Sequence, residues 1–290
     1  MDDQDANALR HYHEHGYVVF PELLESSLVD ELHAVMARIE GAAVGLSEDD
    51  AVFDFEPDHR PDAPRIQRIK KPNRVDPFFR RLSAHPRIMG LVSQLIGPNI
   101  RLNHAKINMK SARVGSSLEW HQDWAFAPHT NMDTCVVSVM IDACVPTNGP
   151  LLVVPGSHNG PLLEHHKDGQ FAGAVVEEGD LKPDYSRSTP LLGPVGTISI
   201  HHPMIVHGSD SNRSGAPRRI LFLEYAAADA WPLFYHVDWS EYDSRLVAGH
   251  GDSAVRMERV PVKLPFPNHT TGSIYKTQAA LSSRFFEGNM

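Results

Sequence analysis

Two short segments, far apart in the chain, hold the residues whose types and spacing can do chemistry. Trp120-His121-Gln122-Asp123 sets an imidazole and a carboxylate two residues apart, and Pro203-Met204-Ile205-Val206-His207-Gly208-Ser209 offers a second imidazole. Arg218 follows eleven residues after His207. On an extended strand, residues two apart point the same way, so His121 and Asp123 can address one point. A histidine from a distant strand then completes a face of two imidazoles and one carboxylate. Such a face leaves three positions of an octahedral metal open, as non-heme Fe(II) oxygenases require. Arg218 is spaced to pair with a carboxylate of a co-substrate on the same metal. The pattern points to a metal-dependent oxygenase.

His-x-Asp alone is a weak signal in a chain with 18 histidines. Its weight comes from its company. Trp120, Trp124 and Phe126 flank it and would keep water from a reactive centre. His207-Gly208-Ser209 reads as a strand running into a turn, and Arg218, Ile220 and Phe222 would share one face of the next strand. Other histidines have a plainer reading: His11, His13 and His15 as solvated, His158 as holding its turn, and His165-His166 as loop residues without a carboxylate at ligand spacing. His201 and His202 are the nearest decoys for His207. Asp142 and Glu119 are expected to be hydrogen-bonding residues.

These residues need a scaffold, and the apolar periodicity supplies one. Gly16-Tyr17-Val18-Val19-Phe20 reads as a strand; Ser26 or Ser27 caps a helix with Leu28, Leu32, Val35, Met36 and Ile39 on one face, stopped by Gly41. Residues 45–77, rich in proline and in both charges, read as a long loop or lid. Pro86 opens a second helix that Gly97-Pro98 ends. From Ile100 the period becomes two, with Ile100, Leu102, His104, Lys106 and Asn108 expected on one face. Further strands are expected at 135–141, 151–154, 197–201 and 219–225, separated by turns such as Thr147-Asn148-Gly149-Pro150. Helices followed by many short strands suggest one domain over 1–290, mainly β with flanking helices, built on an antiparallel double-sheet barrel. Residues 251–290 read as an irregular C-terminal extension.

Composition narrows the partners. The net charge is -9 and no lysine-arginine stripe stands out, which argues against nucleic acid. No apolar stretch approaches the ~20 residues that span a bilayer, and the acidic N-terminus lacks a signal-peptide pattern. Cys135 and Cys144 read as reduced buried thiols, consistent with a cytoplasmic protein that acts on a small molecule. The pattern fixes no oligomeric state.

Gly16-Tyr17-Val18-Val19, His121-Gln122-Asp123, Asn148-Gly149-Pro150-Leu151, Pro155-Gly156-Ser157-His158 and His207-Gly208-Ser209 occur in an order that resembles the phytanoyl-CoA dioxygenase family, over about residues 8–226. The resemblance implies a double-stranded β-helix (jelly-roll, cupin-like) core and an Fe(II)- and 2-oxoglutarate-dependent hydroxylase that uses O2 and releases succinate and CO2. It implies His121, Asp123 and His207 as iron ligands and Arg218 as the partner of the distal carboxylate of 2-oxoglutarate, a role suited to a guanidinium fork. Ile107-Asn108-Met109-Lys110 resembles the family strand whose asparagine also touches the co-substrate; a solvated polar row explains Asn108 equally. Ser138 and Ser209 are further co-substrate candidates.

A carboxylate at Asp123 argues against the related halogenases, which carry a small residue there. A metal-dependent hydrolase or a non-catalytic metabolite-binding barrel would use the same face. Trp124, Phe126, Pro128, His129 and Trp231 are candidates for the substrate pocket. Trp124-Ala125-Phe126-Ala127-Pro128-His129 departs from the ectoine hydroxylase signature. Lys70-Lys71 with Arg65, Arg68 and Arg74, the only basic cluster, reads as a solvated face.

Overall fold

A computed structural model describes residues 3–113, 115–176, 183–267, 273–279, 281 and 284–286. Helices α1 (Asp3–His15) and α2 (Ser26–Gly41) flank strand β1 (Tyr17–Phe20). Strands β2 (Phe53–Phe55) and β3 (Ile66–Lys70) lead to helices α3 (Pro72–Val75), α4 (Pro77–Ser83) and α5 (Pro86–Ile96). The barrel strands follow: β4 (Ile100–Lys110), β5 (Leu118–His121), β6 (Thr134–Met140) and β7 (Leu152–Val153). A small hairpin, β8 (His166–Lys167) and β9 (Gln170–Phe171), precedes β10 (Thr189–Pro190), β11 (Ile198–His201), β12 (His207–Ser209) and β13 (Arg218–Ala227). Helix α6 (Trp239–Asp243), strand β14 (Leu246–Ala248) and helix α7 (Ile274–Gln278) complete the chain. Among the described residues, no helix is long and apolar enough to cross a membrane.

The major sheet runs β1-β11-β6-β13-β4-β3-β2, with β14 beside β4; the minor sheet runs β10-β7-β12-β5. Their ladders are antiparallel. The two sheets face one another as the jelly roll that the sequence resemblance implied. Val136, Met140, Ile220 and Phe222 of the major sheet meet Leu151, Val153, Leu191 and Ile205 between them. On the outer face of the major sheet lies a larger core. There Leu32, Val35, Met36 and Ile39 of α2 and Ile88, Leu91, Val92 and Ile96 of α5 cover Ile107, Val137, Val139, Leu221 and Leu223. Fully burying each such side chain is worth about 1.5–3 kcal/mol, so the helices clamp the sheet that carries the interior polar residues.

Two expectations need correction. Residues 45–77 are not one loop: β2 and β3 extend the major sheet, with Arg68 opposite Asn108 and Lys70 opposite Lys106. The charged residues hid the strand, because here they are paired within the fold. Asp54 accepts hydrogen bonds from Arg68 Nε at 2.7 Å and Lys70 Nζ at 2.8 Å. The period of two along β4 is also broken. Opposite Glu224-Tyr225 the register jumps from His104 to Leu102, leaving Asn103 as the extra residue of a bulge. Ile100 and Leu102 therefore pack with the outer helices. His104, Lys106 and Asn108 lie opposite Glu224, Phe222 and Ile220, facing the barrel interior. The polar row is a buried wall rather than a solvated face.

The C-terminal segment is irregular for most of its length, yet it is docked. Trp124 Nε1 donates to the Pro261 carbonyl at 2.8 Å, and Gln278 Nε2 to that of Gly173 at 2.7 Å. The Glu119 N–H donates to Gln278 Oε1 at 2.9 Å, and Glu119 Oε2 accepts the Phe285 N–H at 2.8 Å.

The turn between β6 and β7 depends on Gly149. Its φ is +70°, and a Cβ there would lie 2.4 Å from the Asp210 carbonyl oxygen. Gly149→Ala is expected to lower stability by at least ~1 kcal/mol from the backbone conformation alone, with more from the collision. Thermal melts of the two proteins check this, and an unchanged midpoint would refute it.

Candidate metal centre

Strands β5 and β12 are neighbours in the minor sheet, and His121 lies directly opposite His207. Their ring centroids are 4.1 Å apart. Strand β5 ends at His121 and Asp123 opens a 3-10 turn, but Gln122 is still extended (φ -118°, ψ 126°), which returns Asp123 to the side of His121. His121 Nε2 is 3.8 Å from Asp123 Oδ1 and His207 Nε2 is 3.6 Å from Asp123 Oδ2. One ligand atom from each of the three residues lies within 4.8 Å of the others. Each histidine uses Nδ1–H to donate to a backbone carbonyl, Glu119 at 2.7 Å and Ile205 at 3.0 Å. Both Nε2 lone pairs are thereby left facing the shared point.

The charge states match. Burial pushes both imidazoles down, His207 to about 4, so they are neutral ligands at neutral pH. Burial alone would raise Asp123, but His207, His201 and Lys106 outweigh it and hold the carboxyl well below its usual range. Two neutral nitrogens and one carboxylate suit a divalent cation.

Two supporting residues escaped the sequence reading. His201 on β11, set aside as a decoy ligand, is fully buried, and its Nε2 donates to Asp123 Oδ2 at 3.2 Å. It steadies the carboxylate from behind. Gln122 clamps the turn: its N–H donates to His165 Nε2 at 3.0 Å, its Nε2 to the Met204 carbonyl at 2.8 Å, and its Oε1 accepts the Leu163 N–H at 2.8 Å. His165 is thus part of the metal turn's support. His201 and His165 are tied to the centre only by distance in space, and Gln122, though inside the motif, shows its clamping role only through contacts remote in sequence.

Deeper in the barrel, Arg218 opens β13 at 2% exposure, and its Nε finds no partner. Asn108 Oδ1 and Ser138 Oγ, on the two strands beside β13, are also buried without a partner. Such orphaned groups each cost about 1–3 kcal/mol unless a ligand satisfies them. A guanidinium with neighbouring amide and hydroxyl groups fits the far carboxylate of a dicarboxylic acid. Tyr275 of α7 is buried near Arg218; burial pushes its phenol up to about 12, against the opposing Arg218 charge. It arrives from the segment that the sequence left unread. Ser209 is buried on β12, two residues past His207, and its carbonyl accepts from the buried Lys110 Nζ.

A cavity of about 510 Å3 reaches the centre past Asp123 and Phe126. Phe126 packs edge-on to His121, with ring centroids 5.7 Å apart. The other proposed pocket residues do not line this cavity. Trp124 is 1% exposed in a cluster with Leu162 and Met204, and Pro128 sits beside it. His129 is buried against Phe234, and Trp231 stacks on Trp239 with centroids 6.2 Å apart. Large aromatics near a metal motif serve core packing equally well. Of the basic cluster read as a solvated face, Lys71 and Arg74 are exposed and Arg68 is buried, and all three line the cavity.

A jelly roll with two histidines and an aspartate converging at one mouth, and a buried arginine behind them, is the arrangement of the 2-oxoglutarate-dependent iron oxygenases. The sequence profile of the phytanoyl-CoA dioxygenase family matches residues 12–220. A probable alpha-ketoglutarate-dependent hypophosphite dioxygenase of Stutzerimonas stutzeri is 33% identical over 285 residues, covering 97% of this chain and 99% of that protein. An L-proline trans-4-hydroxylase of Streptomyces griseoviridis is 32% identical over 52% of this chain and 63% of its own length. The crystal structure of EctD from S. alaskensis with bound Fe superimposes with a TM-score of 0.66 at 24% identity, covering 90% of this chain and 88% of that one. The chain belongs to the phytanoyl-CoA dioxygenase family and is a 2-oxoglutarate-dependent non-heme iron dioxygenase.

The buried histidines make stability depend on pH. Burial leads in lowering His104, His129, His165 and His207 to about 4, and His202 to about 3. In the unfolded chain each titrates near 6.5. Between about pH 6.5 and 4 the unfolded chain takes up protons that the native state refuses, so stability falls as pH falls. Each group contributes up to ~1.4 kcal/mol per pH unit in that window. Melting of the metal-free protein at pH 7.5, 6 and 5 is expected to show a progressive drop; a flat midpoint would count against the assignment.

Proposed function

We propose that His121, Asp123 and His207 hold Fe(II), that Arg218 grips the distal carboxylate of 2-oxoglutarate with help from Asn108, Ser138 and Ser209, and that the chain hydroxylates a small metabolite. The observation that carries the reading is a His-Asp-His cluster in one sheet together with a buried arginine, its Nε without a partner, on β13 of the other sheet. Bound there, iron and 2-oxoglutarate would use O2 for an oxidative decarboxylation in which one oxygen atom enters succinate as CO2 leaves and the other goes to the substrate.

The chain's own residues bind, orient and exclude. His121 and His207 present fixed, neutral Nε2 atoms because their Nδ1–H groups are held by backbone carbonyls. Asp123 supplies the negative charge, kept in place by His201. That carboxylate favours hydroxylation over halogenation, since it occupies the position that halide would need. Phe126 covers His121 on the cavity side and limits water there. The substrate enters through the cavity and meets the metal past Asp123.

The similarity to the Stutzerimonas protein runs end to end, which supports a compact substrate whose reacting bond is C–H or, as in the compound that protein is named for, P–H. Partners other than the small molecule are not part of the reading.

Anaerobic addition of Fe(II) and 2-oxoglutarate is expected to produce a weak visible charge-transfer band. Absence of that band, with zinc retained instead, would sink the assignment. His121→Ala should abolish both the band and succinate formation. Arg218→Ala should raise the 2-oxoglutarate KM at least tenfold, given ~1.5–3 kcal/mol for a hydrogen bond to a charged group; a wild-type KM would remove Arg218 from the role.

A further inference from the structure

The cavity that leads to Asp123 is basic in a chain that is acidic. Against a net charge of -9, six cationic side chains line it: Arg68, Lys71, Arg74, Arg80, Lys106 and Arg245. Only two carboxylates, Asp123 and Glu224, share that lining. Four of the cations are already paired. Arg68 takes Asp54, Lys106 takes Glu224, and Arg74 and Arg245 share Glu241. Lys71 and Arg80 have no side-chain partner among the described residues.

Both are placed by the fold. Strand β3 ends at Lys70, and Lys71 turns left-handed (φ +47°), a conformation that lysine rarely adopts. Its N–H donates to the Ala105 carbonyl at 3.2 Å and Pro72 opens α3 directly after it, so the residue is pinned over β4 beside His104 and Lys106. Arg80 stands on α4, whose Ser83 carbonyl accepts a hydrogen bond from the buried Tyr225 hydroxyl at 2.8 Å. Two exposed cations without side-chain partners thus line the same cavity as Asp123 of the metal face. His104, which lines the same cavity, is kept neutral by burial first and then by Lys106, Arg68 and Lys71. It can donate or accept a hydrogen bond without adding charge.

Resting on the oxygenase reading, we propose that Lys71 and Arg80 form the head-group subsite of this cavity and that the substrate is a small oxyanion. Its anionic group is attracted by the ammonium and the guanidinium, and the bond to be oxidised is directed towards Asp123, which lines the same cavity. An excess of cations lining a cavity favours anionic ligands and makes their capture salt-dependent. Arg80 can bind an oxyanion through two parallel N–H groups, which Lys71 cannot.

The test uses the full chain with Fe(II) and saturating 2-oxoglutarate under argon, and follows the charge-transfer band as probes are added. Methylphosphonate, hypophosphite and acetate are the anionic probes, and acetamide is the uncharged counterpart of acetate. At least one anionic probe is expected to perturb the band saturably, with a dissociation constant that rises with ionic strength, while acetamide leaves it unchanged. The double variant Lys71→Gln/Arg80→Gln is expected to weaken that probe at least tenfold and to flatten the salt dependence. Acetamide perturbing the band as strongly as acetate, or a double variant that binds anions like the parent, overturns the proposal. Anionic probes that leave an existing band unmoved also overturn it. Absence of the band before any probe is added is instead a failure of the oxygenase reading. Calorimetry of the same probes against the metal-free protein with saturating 2-oxoglutarate then decides the subsite without iron: salt-sensitive binding lost in the double variant supports it, and no binding refutes it.

Discussion

The antiparallel contact between β5 and β12 is the constraint on which the site depends. His121 and His207 are remote in sequence and acquire a common point only because their strands pair with these two residues opposite. A slip of one residue would turn one imidazole away, since strand side chains alternate. Several contacts hold the register. Lys110 donates to the Ser209 carbonyl beyond His207, and Gly208 lies so close to Leu118, Trp120 and Phe286 that a Cβ would meet atoms at 3.0–3.3 Å. The close approach that glycine permits is part of how β12 lies flat against β5.

Around that contact the fold treats its two faces differently. The outer face of the major sheet is apolar and covered by α2 and α5, which supplies most of the burial. The inner face carries an apolar patch and a row of polar residues that an ordinary core would exclude. His104, Lys106, Asn108, Ser138, Arg218 and Glu224 sit there, some paired and some waiting for a ligand. Burying them is tolerable because Lys106 and Glu224 neutralise one another while burial keeps His104 uncharged. The remainder, Asn108, Ser138 and above all Arg218, carries buried polar atoms without a partner, which is unfavourable. The structure thus spends stability at the place where it binds.

The C-terminal segment closes the arrangement although the family profile ends at residue 220. Glu119, the residue whose carbonyl orients His121, is held through its own N–H by Gln278 and through its carboxylate by the Phe285 N–H. Tyr275 comes from the same segment to the neighbourhood of Arg218. Any displacement of this segment would therefore be felt at both His121 and Arg218.

The sequence by itself determined the helices from Ser26 and Pro86, most barrel strands and the identity of the three converging residues. These are legible because they rest on local signals: apolar period, proline and glycine stops, and short motifs in a fixed order. It did not reveal β2 and β3, because their charged residues are satisfied by Asp54 within the fold and so interrupt the apolar pattern. It misread the faces of β4 at the bulge by Asn103, since an extra residue changes direction without changing composition. It gave Trp124, His129 and Trp231 to the pocket when they pack away from the cavity, and gave Arg68 to solvent when it is buried in the cavity wall. Only the tertiary structure decided which side of each strand looks inward, that His201 stands behind Asp123, and that Tyr275 lies beside Arg218. Those are matters of distance between residues remote in sequence, and register, bulges and docking settle them rather than any local pattern.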